Sequence, residues 1–319
     1  MATGSPRTGD RPESRWADLD GPVHYVDHGG PADGPLLVCV HGLGGSLDNW
    51  AALAPLLTDT CRVLALDLAG FGHTRSGSRS TSVPANQRLL HRFLTEVAGT
   101  PVILVGNSMG GLISILQAAA HPDTVSGLVL VDPALPVGLR SLPDPRVAAT
   151  FTAFAVPAVG RTLLARRRST TSAELAATDL LRLCCVDPSR VPQHVIDQHL
   201  ELAEQRRSYA DVDAELLSAA RSLIWVLADR RRYAAMQRAI DVPVLLLHGD
   251  RDRLVPIACA RAAAKANPSW TFEVAHDVGH VPQLEVPDWT AGRIHEFLAE
   301  HPDCVAAATK TGRARGRRR

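Results

Sequence analysis

Short apolar runs rich in β-branched residues alternate with stretches of helical periodicity along most of the chain. Pro35–His41 (PLLVCVH), Arg62–Asp67 (RVLALD), Pro101–Gly106 (PVILVG), Val125–Asp132 (VSGLVLVD) and Val242–His248 (VPVLLLH) are almost continuously hydrophobic. Strands buried on both faces of a parallel sheet have this pattern. Trp270–Ala275 (WTFEVA) reads as a further strand, and Val23–His28 (VHYVDH) alternates like an edge strand. Helices are expected between them at Trp50–Leu57, Pro84–Val97, Met109–Ala120, Ile257–Ala266 and Trp289–Leu298. Such alternation implies an α/β domain with right-handed crossovers.

The rhythm breaks from about Pro133 to Ile240, where only helical segments such as Ala173–Cys184, Pro192–Arg206 and Ala214–Ala228 are found. A helical piece inserted between two strands of one sheet should sit on top of it, so residues 134–240 are expected to form a lid over a core made of 21–133 and 241–301. Its Arg166–Arg168 and Arg230–Arg232 runs read as solvated helix faces. Residues 1–20 read as a disordered leader and 302–319 as a disordered basic tail.

Composition narrows the classes of function. The chain has 319 residues, of which 45% are hydrophobic and 21% charged, values typical of globular proteins. Lys310, Arg313, Arg315, Arg317, Arg318 and Arg319 concentrate positive charge in the last ten residues. Residues 1–309 hold 28 Lys and Arg against 33 Asp and Glu, so the body is acidic and unlike a specific nucleic-acid binder. The tail offers at most a weak, salt-sensitive contact to anionic surfaces. No apolar run reaches the roughly 18 residues of a membrane span, and the N-terminus lacks an apolar export signal. The expected location is cytoplasmic, with the six cysteines reduced. They form no CxxC pair, and no metal or cofactor is implied.

The chemistry centres on Gly106-Asn107-Ser108-Met109-Gly110-Gly111, which follows a buried strand and opens a helix. A G-x-S-x-G turn in this context projects its serine above the sheet at the positive end of the helix. Side chains at Gly106 or Gly110 would collide with the neighbouring strand or helix. Serine is a weak nucleophile and requires a base, which in turn requires an orienting acid. The loop Gly249-Asp250-Arg251-Asp252-Arg253-Leu254-Val255-Pro256 and the loop His276-Asp277-Val278-Gly279-His280-Val281-Pro282 supply both residue types, each just past a strand. The charge that develops on a carbonyl oxygen also needs donors. The N–H groups of Met109 and of Leu43, in His41-Gly42-Leu43-Gly44-Gly45-Ser46, are the candidates.

These blocks, with DLAGFGHT (67–74) and GHVPQLEVP (279–287), resemble the α/β-hydrolase fold superfamily in its serine-nucleophile branch. The resemblance implies a mostly parallel eight-stranded sheet, helices on both faces and a helical cap after the sixth strand. It also implies Ser108 as nucleophile, Asp252 as acid, His280 as base, and Leu43 and Met109 as the oxyanion hole. The family pattern D-x-x-x-P favours Asp252, with Pro256, over Asp250; Asp132 is the acid position of some relatives. His280 fits G-H-x-P better than His276 does. His41 and Asp67 read as braces, and Phe151, Phe154 and Trp225 as core at least as much as substrate lining.

The expected function is hydrolysis of carboxylic esters with short- to medium-chain acyl groups or a monoacylglycerol-like form, by an enzyme similar to bacterial carboxylesterases. Hydrolysis of a carbon–carbon bond in vinylogous diketones uses the same triad and stays open, although those relatives carry a Gly/Pro-richer loop than HGLGGS. A thioesterase, a cofactor-free haloperoxidase and a non-catalytic ligand-binding protein also stay open. Ser108 excludes the epoxide hydrolases and dehalogenases, which need an aspartate there.

Overall fold

The computed structural model describes residues 11–99, 101–138 and 143–315. Eight strands form one sheet: β1 (Ser14–Asp18), β2 (Pro22–Gly29), β3 (Leu36–Val40), β4 (Arg62–Leu66), β5 (Val102–Asn107), β6 (Val125–Val131), β7 (Val244–Gly249) and β8 (Thr271–Ala275). Their spatial order is β1-β2-β4-β3-β5-β6-β7-β8, and only the β1–β2 and β2–β4 pairings are antiparallel. Every residue of β3, β5, β6 and β7 is buried. Their side chains alternate between two cores. Val38, Val40, Leu104, Leu130 and Leu246 face one layer, and Leu37, Cys39, Val105, Val131 and Leu247 face the other. Both faces are therefore dry, which explains why these strands read as unbroken apolar runs.

The first layer is covered by α1 (Val83–Arg92), α2 (Met109–Ala120) and α9 (Ile257–Ala266), whose apolar sides enter its core. The second takes α11 (Pro287–Glu300), which follows the short α10 (Pro282–Glu285), together with Trp50 and Leu53. The helix expected at Trp50–Leu57 is instead two 3-10 turns, Leu47–Trp50 and Ala54–Leu56. Pro55 lies in the middle of that stretch and cannot continue an α-helical ladder.

Between β6 and β7 lie α3 (Pro145–Ala155), α4 (Pro157–Thr170), α5 (Ala173–Cys184), α6 (Gln193–Arg207), α7 (Val212–Ala228) and α8 (Arg230–Arg238), and no strand among the described residues. Here Phe154 is buried and Phe151 partly so, whereas Trp225 is 74% exposed and belongs to no core. Arg166, Arg167 and Arg230–Arg232 are exposed. Among the described residues no single helix is long and apolar enough to cross a membrane; α3 and α4 reach that length together but bend by 119°.

Both chain ends depart from expectation. Residues 14–18 of the expected leader form β1, paired from Ser14 opposite Val26 to Asp18 opposite Pro22. Its side chains are mostly exposed, so no apolar pattern betrays it; backbone pairing and the Arg15–Asp27 ion pair at 3.0 Å hold it. The tail expected to be disordered from 302 instead continues as a helix, α12 (Pro302–Arg315). Pro302 and Asp303 open it as good first-turn residues, and Cys304 and Ala308, one turn apart, are buried in the second core. A β-carbon on Gly127 would sit 2.5 Å from the Cys304 sulfur, so β6 keeps a glycine where α12 crosses it. The remainder of both expected disordered segments, residues 1–10 and 316–319, lies outside the described residues.

Removing residues 302–319 should uncover the second core beside Gly127. Apolar burial at Cys304, Val305 and Ala308 is worth about 2 kcal/mol, which for a chain of this size lowers Tm by about 3 °C. Thermal unfolding of the truncated chain checks this, and an unchanged Tm would show that α12 adds nothing to the core.

Candidate active site

The site forms where β3, β5, β6, β7 and β8 end. β5 runs through Asn107, and Ser108 turns sharply into α2 with φ 53° and ψ −118°. A non-glycine residue there stores strain of order 1–3 kcal/mol. Close packing maintains it. A β-carbon on Gly110 would lie 2.1 Å from the Val40 carbonyl oxygen, and one on Gly106 would lie 2.7 Å from the Gly110 oxygen. Ser108 is also tied at its backbone: its N–H donates to Val131 at 3.2 Å, and its carbonyl accepts from Leu112 and Ala134. Met109 opens α2, so its N–H is among those that a helix start leaves without a partner inside the helix.

The loop after β3 passes directly against the serine. A β-carbon on Gly42 would meet the Ser108 Cβ at 3.0 Å, which puts Leu43 one residue from that contact. The neutral His41 ring holds this loop: its Nδ1 donates to the Gly42 carbonyl at 2.8 Å, and its Nε2 accepts from the Leu68 N–H at 3.0 Å. Burial depresses its pKa, which keeps it uncharged. Buried Asp67 accepts from the His24 ring at 2.7 Å and from the N–H groups of Leu47 and His73 at 2.8 and 2.9 Å, which fixes the far end of the loop. A small cavity among Arg11, Asp48, His24 and His73 lies on that side and not at Ser108.

The two loops carrying candidate acids and bases form two Asp–His pairs. Asp250 meets His276 at 3.0 Å on the surface, with the His276 side chain 84% exposed. Asp252 meets His280 Nδ1 at 2.7 Å in the interior, with the two side chains 0% and 4% exposed. Burial would raise the Asp252 pKa, but the His280 charge and hydrogen bond, His248 and the Val255 N–H outweigh it and hold the carboxylate below its ordinary range. The Asp252 carboxylate also accepts from Leu254 and Val255 N–H at 2.7 and 3.0 Å. With Nδ1 committed to Asp252, His280 keeps Nε2 free for chemistry.

Several residues that position this arrangement escape a motif reading. The Asn107 side chain donates to the carbonyls of Val131 at 3.0 Å and His280 at 3.1 Å, joining the loop that carries His280 to the serine turn. Buried Glu285 accepts from the N–H groups of Gly279, Val186 and Asp187 at 2.9–3.0 Å, with Arg190 at 3.5 Å. The His280 N–H donates to the Cys184 carbonyl at 2.6 Å, so the end of α5 is bonded to the loop that carries His280. On the other side, Phe154, Leu164, Leu217 and Ala220 of α3, α4 and α7 form a cluster that packs on Leu43. The insertion thus touches both loops that flank Ser108. Asn107 and Glu285 lie inside the quoted blocks, but a bonded carbonyl at Cys184 has no signature in sequence.

Asp132, His248 and Asp252 form the one set of three metal-ligating residue types close enough to share an ion among the described residues, with one ligand atom from each within 4.8 Å of the others. Two of these donors are already committed: His248 Nε2 donates to the Val255 carbonyl at 2.8 Å, and Asp252 binds His280. The cluster reads as part of the surroundings that hold Asp252.

An eight-stranded sheet, a strained serine between strand and helix, and a buried Asp–His pair on later loops define an α/β hydrolase. Residues 35–287 match the model of the alpha/beta hydrolase fold, and the chain belongs to that family. Over 289 residues it is 26% identical to the human (Homo sapiens) monoacylglycerol lipase ABHD6, covering 87% of this chain and 81% of that protein. It is 25% identical over 294 residues, 90% of each chain, to 2-hydroxy-6-oxo-6-(2'-aminophenyl)hexa-2,4-dienoic acid hydrolase of Metapseudomonas resinovorans. The crystal structure of a putative lipase from Acinetobacter baumannii shares the fold, with a TM-score of 0.74, 23% identity and 93% of each chain covered.

Glu285→Leu should leave three N–H groups without an acceptor, one in the interior at Gly279 and two at the less buried Val186 and Asp187. The expected cost is about 3 kcal/mol or more, measured as a shift of the urea midpoint at unchanged slope. A shift below about 1 kcal/mol would mean that other groups hold the loop that carries His280.

Proposed function

We propose that this chain is a serine esterase that cleaves carboxylic esters through an acyl-enzyme, with Ser108 as nucleophile, His280 as base and Asp252 as acid. The observation that carries the reading is the juxtaposition of a buried 2.7 Å Asp252–His280 bond with a strained serine, joined by the Asn107 side chain. His280 Nε2 takes the Ser108 proton as Oγ attacks the carbonyl carbon, while Asp252 stabilises the imidazolium that forms. The N–H groups of Leu43 and Met109 hold the oxyanion. The imidazolium then protonates the leaving alkoxide, and water repeats the sequence to release the acid. No step draws on a cofactor or metal.

An apolar acyl group is the substrate feature that the surroundings favour. Leu43, Phe154, Leu216 and Leu217 gather above the serine loop, so the insertion acts as a lid with an apolar underside. The likeness to a monoacylglycerol lipase supports the ester reading. The likeness to a hydrolase of a hexadienoic acid supports carbon–carbon cleavage as the competing one. Apolar covering favours the ester, because each methylene buried there is worth roughly 0.8 kcal/mol, about fourfold in kcat/KM.

Ser108→Ala should abolish turnover of p-nitrophenyl esters and labelling by a fluorophosphonate at an unchanged Tm. With the native chain, kcat/KM should rise from acetyl to a short or medium acyl chain and fall once the pocket is filled. A flat series from two to sixteen carbons with rapid cleavage of a vinylogous diketone acid would replace the ester reading with carbon–carbon hydrolysis. Activity above a few per cent in the Ser108→Ala chain would remove the nucleophile assignment.

A further inference from the structure

Asp132, the residue just past β6, is an acid that the proposed reaction does not use. It is fully buried and sits in the left-handed region at φ 43°, with its N–H donating to the Leu247 carbonyl at 2.9 Å. Its Oδ1 accepts from the Gly249 N–H at 2.9 Å. Its Oδ2 is buried and has no donor among the described residues. An ionised carboxylate in this position would leave half of its charge without a partner.

The groups facing it make ionisation worse. Asp252 approaches the same nitrogen of His248: Nε2 lies 3.6 Å from Asp132 Oδ1 and 3.5 Å from Asp252 Oδ2, and one ligand atom from each of the three residues lies within 4.8 Å of the others. His248 does not neutralise the pair. Its Nε2 hydrogen goes to the Val255 carbonyl, its Nδ1 is buried without a partner, and burial draws its pKa down. Glu285 adds a negative charge, and the Cys184 thiol is pushed up to about 12 by burial and stays neutral. His280 is the remaining base nearby and is committed to Asp252. Two carboxylates in a dry site where only one has an imidazole hydrogen bond cannot both ionise readily. Asp252 has His280 and two N–H donors, and Asp132 has one N–H, so the charge settles on Asp252. Burial and the Asp252 charge push the Asp132 pKa well above the ordinary range.

We propose that Asp132 is held as the neutral acid and donates its Oδ2 proton to the Asp252 carboxylate, making it a positioning residue for the Asp252–His280 pair. The proton does not transfer during turnover. It disperses the Asp252 charge and fixes the orientation of the carboxylate, which moderates the basicity of His280. The inference rests on Asp252 being the acid of the triad.

Infrared difference spectra of the full chain at neutral pH, wild type against Asp132→Asn, should show a protonated-carboxyl stretch that the variant lacks. An asparagine keeps the acceptor for Gly249 and offers an N–H to Asp252, so ester kcat/KM should stay within about threefold, with the acid limb of its pH profile unmoved. Asp132→Leu removes the donor and concentrates charge on Asp252. His280 then becomes more basic, and the acid limb should move to higher pH as kcat falls tenfold or more. Thermal unfolding gives a readout independent of activity. A raised folded pKa makes wild-type stability decline as pH rises above about 4, so the Tm advantage of Asp132→Asn should widen upward from there. Absence of the carboxyl band, or a Tm gap that does not change with pH, would overturn the proposal. Asp252→Asn tests the parent reading separately, since unaffected ester turnover in that variant would remove the acid from the triad whatever the Asp132 spectra show.

Discussion

The start of α2 lies against the end of β3 so closely that nothing larger than hydrogen fits at Gly110, 2.1 Å from the Val40 oxygen when a β-carbon is added. That approach sets the rest of the site. It compresses the turn after β5, which forces Ser108 into a conformation that L-residues avoid and lifts its side chain clear of the sheet. It also brings the loop after β3 within contact of the serine at Gly42. The hydrogen-bond networks of His41 and Asp67 then hold that loop at its two ends, so the strain at one residue is shared by a rigid surround.

The acid side of the site is built on a different principle. Instead of steric compression it uses charge confined in a dry place, where each donor is counted. Asp252 gathers an imidazole and two backbone N–H groups, while the adjoining Asp132 receives one. Asymmetry in donors is enough to divide two chemically identical side chains into one anion and one neutral acid. The exposed Asp250–His276 pair, with the same residue types at a similar spacing in sequence, lacks that confinement and remains a surface contact.

Much of this was legible in the sequence, because glycine spacing, buried apolar runs and loop motifs report directly on local geometry. Five central strands show as continuous hydrophobic runs, and the blocks around Ser108, Asp252 and His280 point to the loops that meet in space. What escaped was information that backbone atoms or long-range packing carry. β1 is polar in its side chains and stable through its ladder to β2. Among its described side chains α12 buries two small residues, Cys304 and Ala308, a pattern that its Thr, Gly and Arg content concealed. Glu285 gathers amides from two separate segments, Val186–Asp187 and Gly279, and no local pattern announces such a partner.

The bond from the His280 N–H to the Cys184 carbonyl has a consequence for how the molecule is assembled. The inserted helices are often pictured as a cover fitted to a finished enzyme. Here residue 184, inside the insertion, supplies an acceptor to the loop that carries His280, and a β-carbon on Gly279 would strike the same carbonyl at 2.1 Å. The shape of that loop therefore depends on the end of α5. Sheet and insertion are not modules that can be exchanged at their boundaries, because the loop that carries His280 takes its acceptor from inside the insertion.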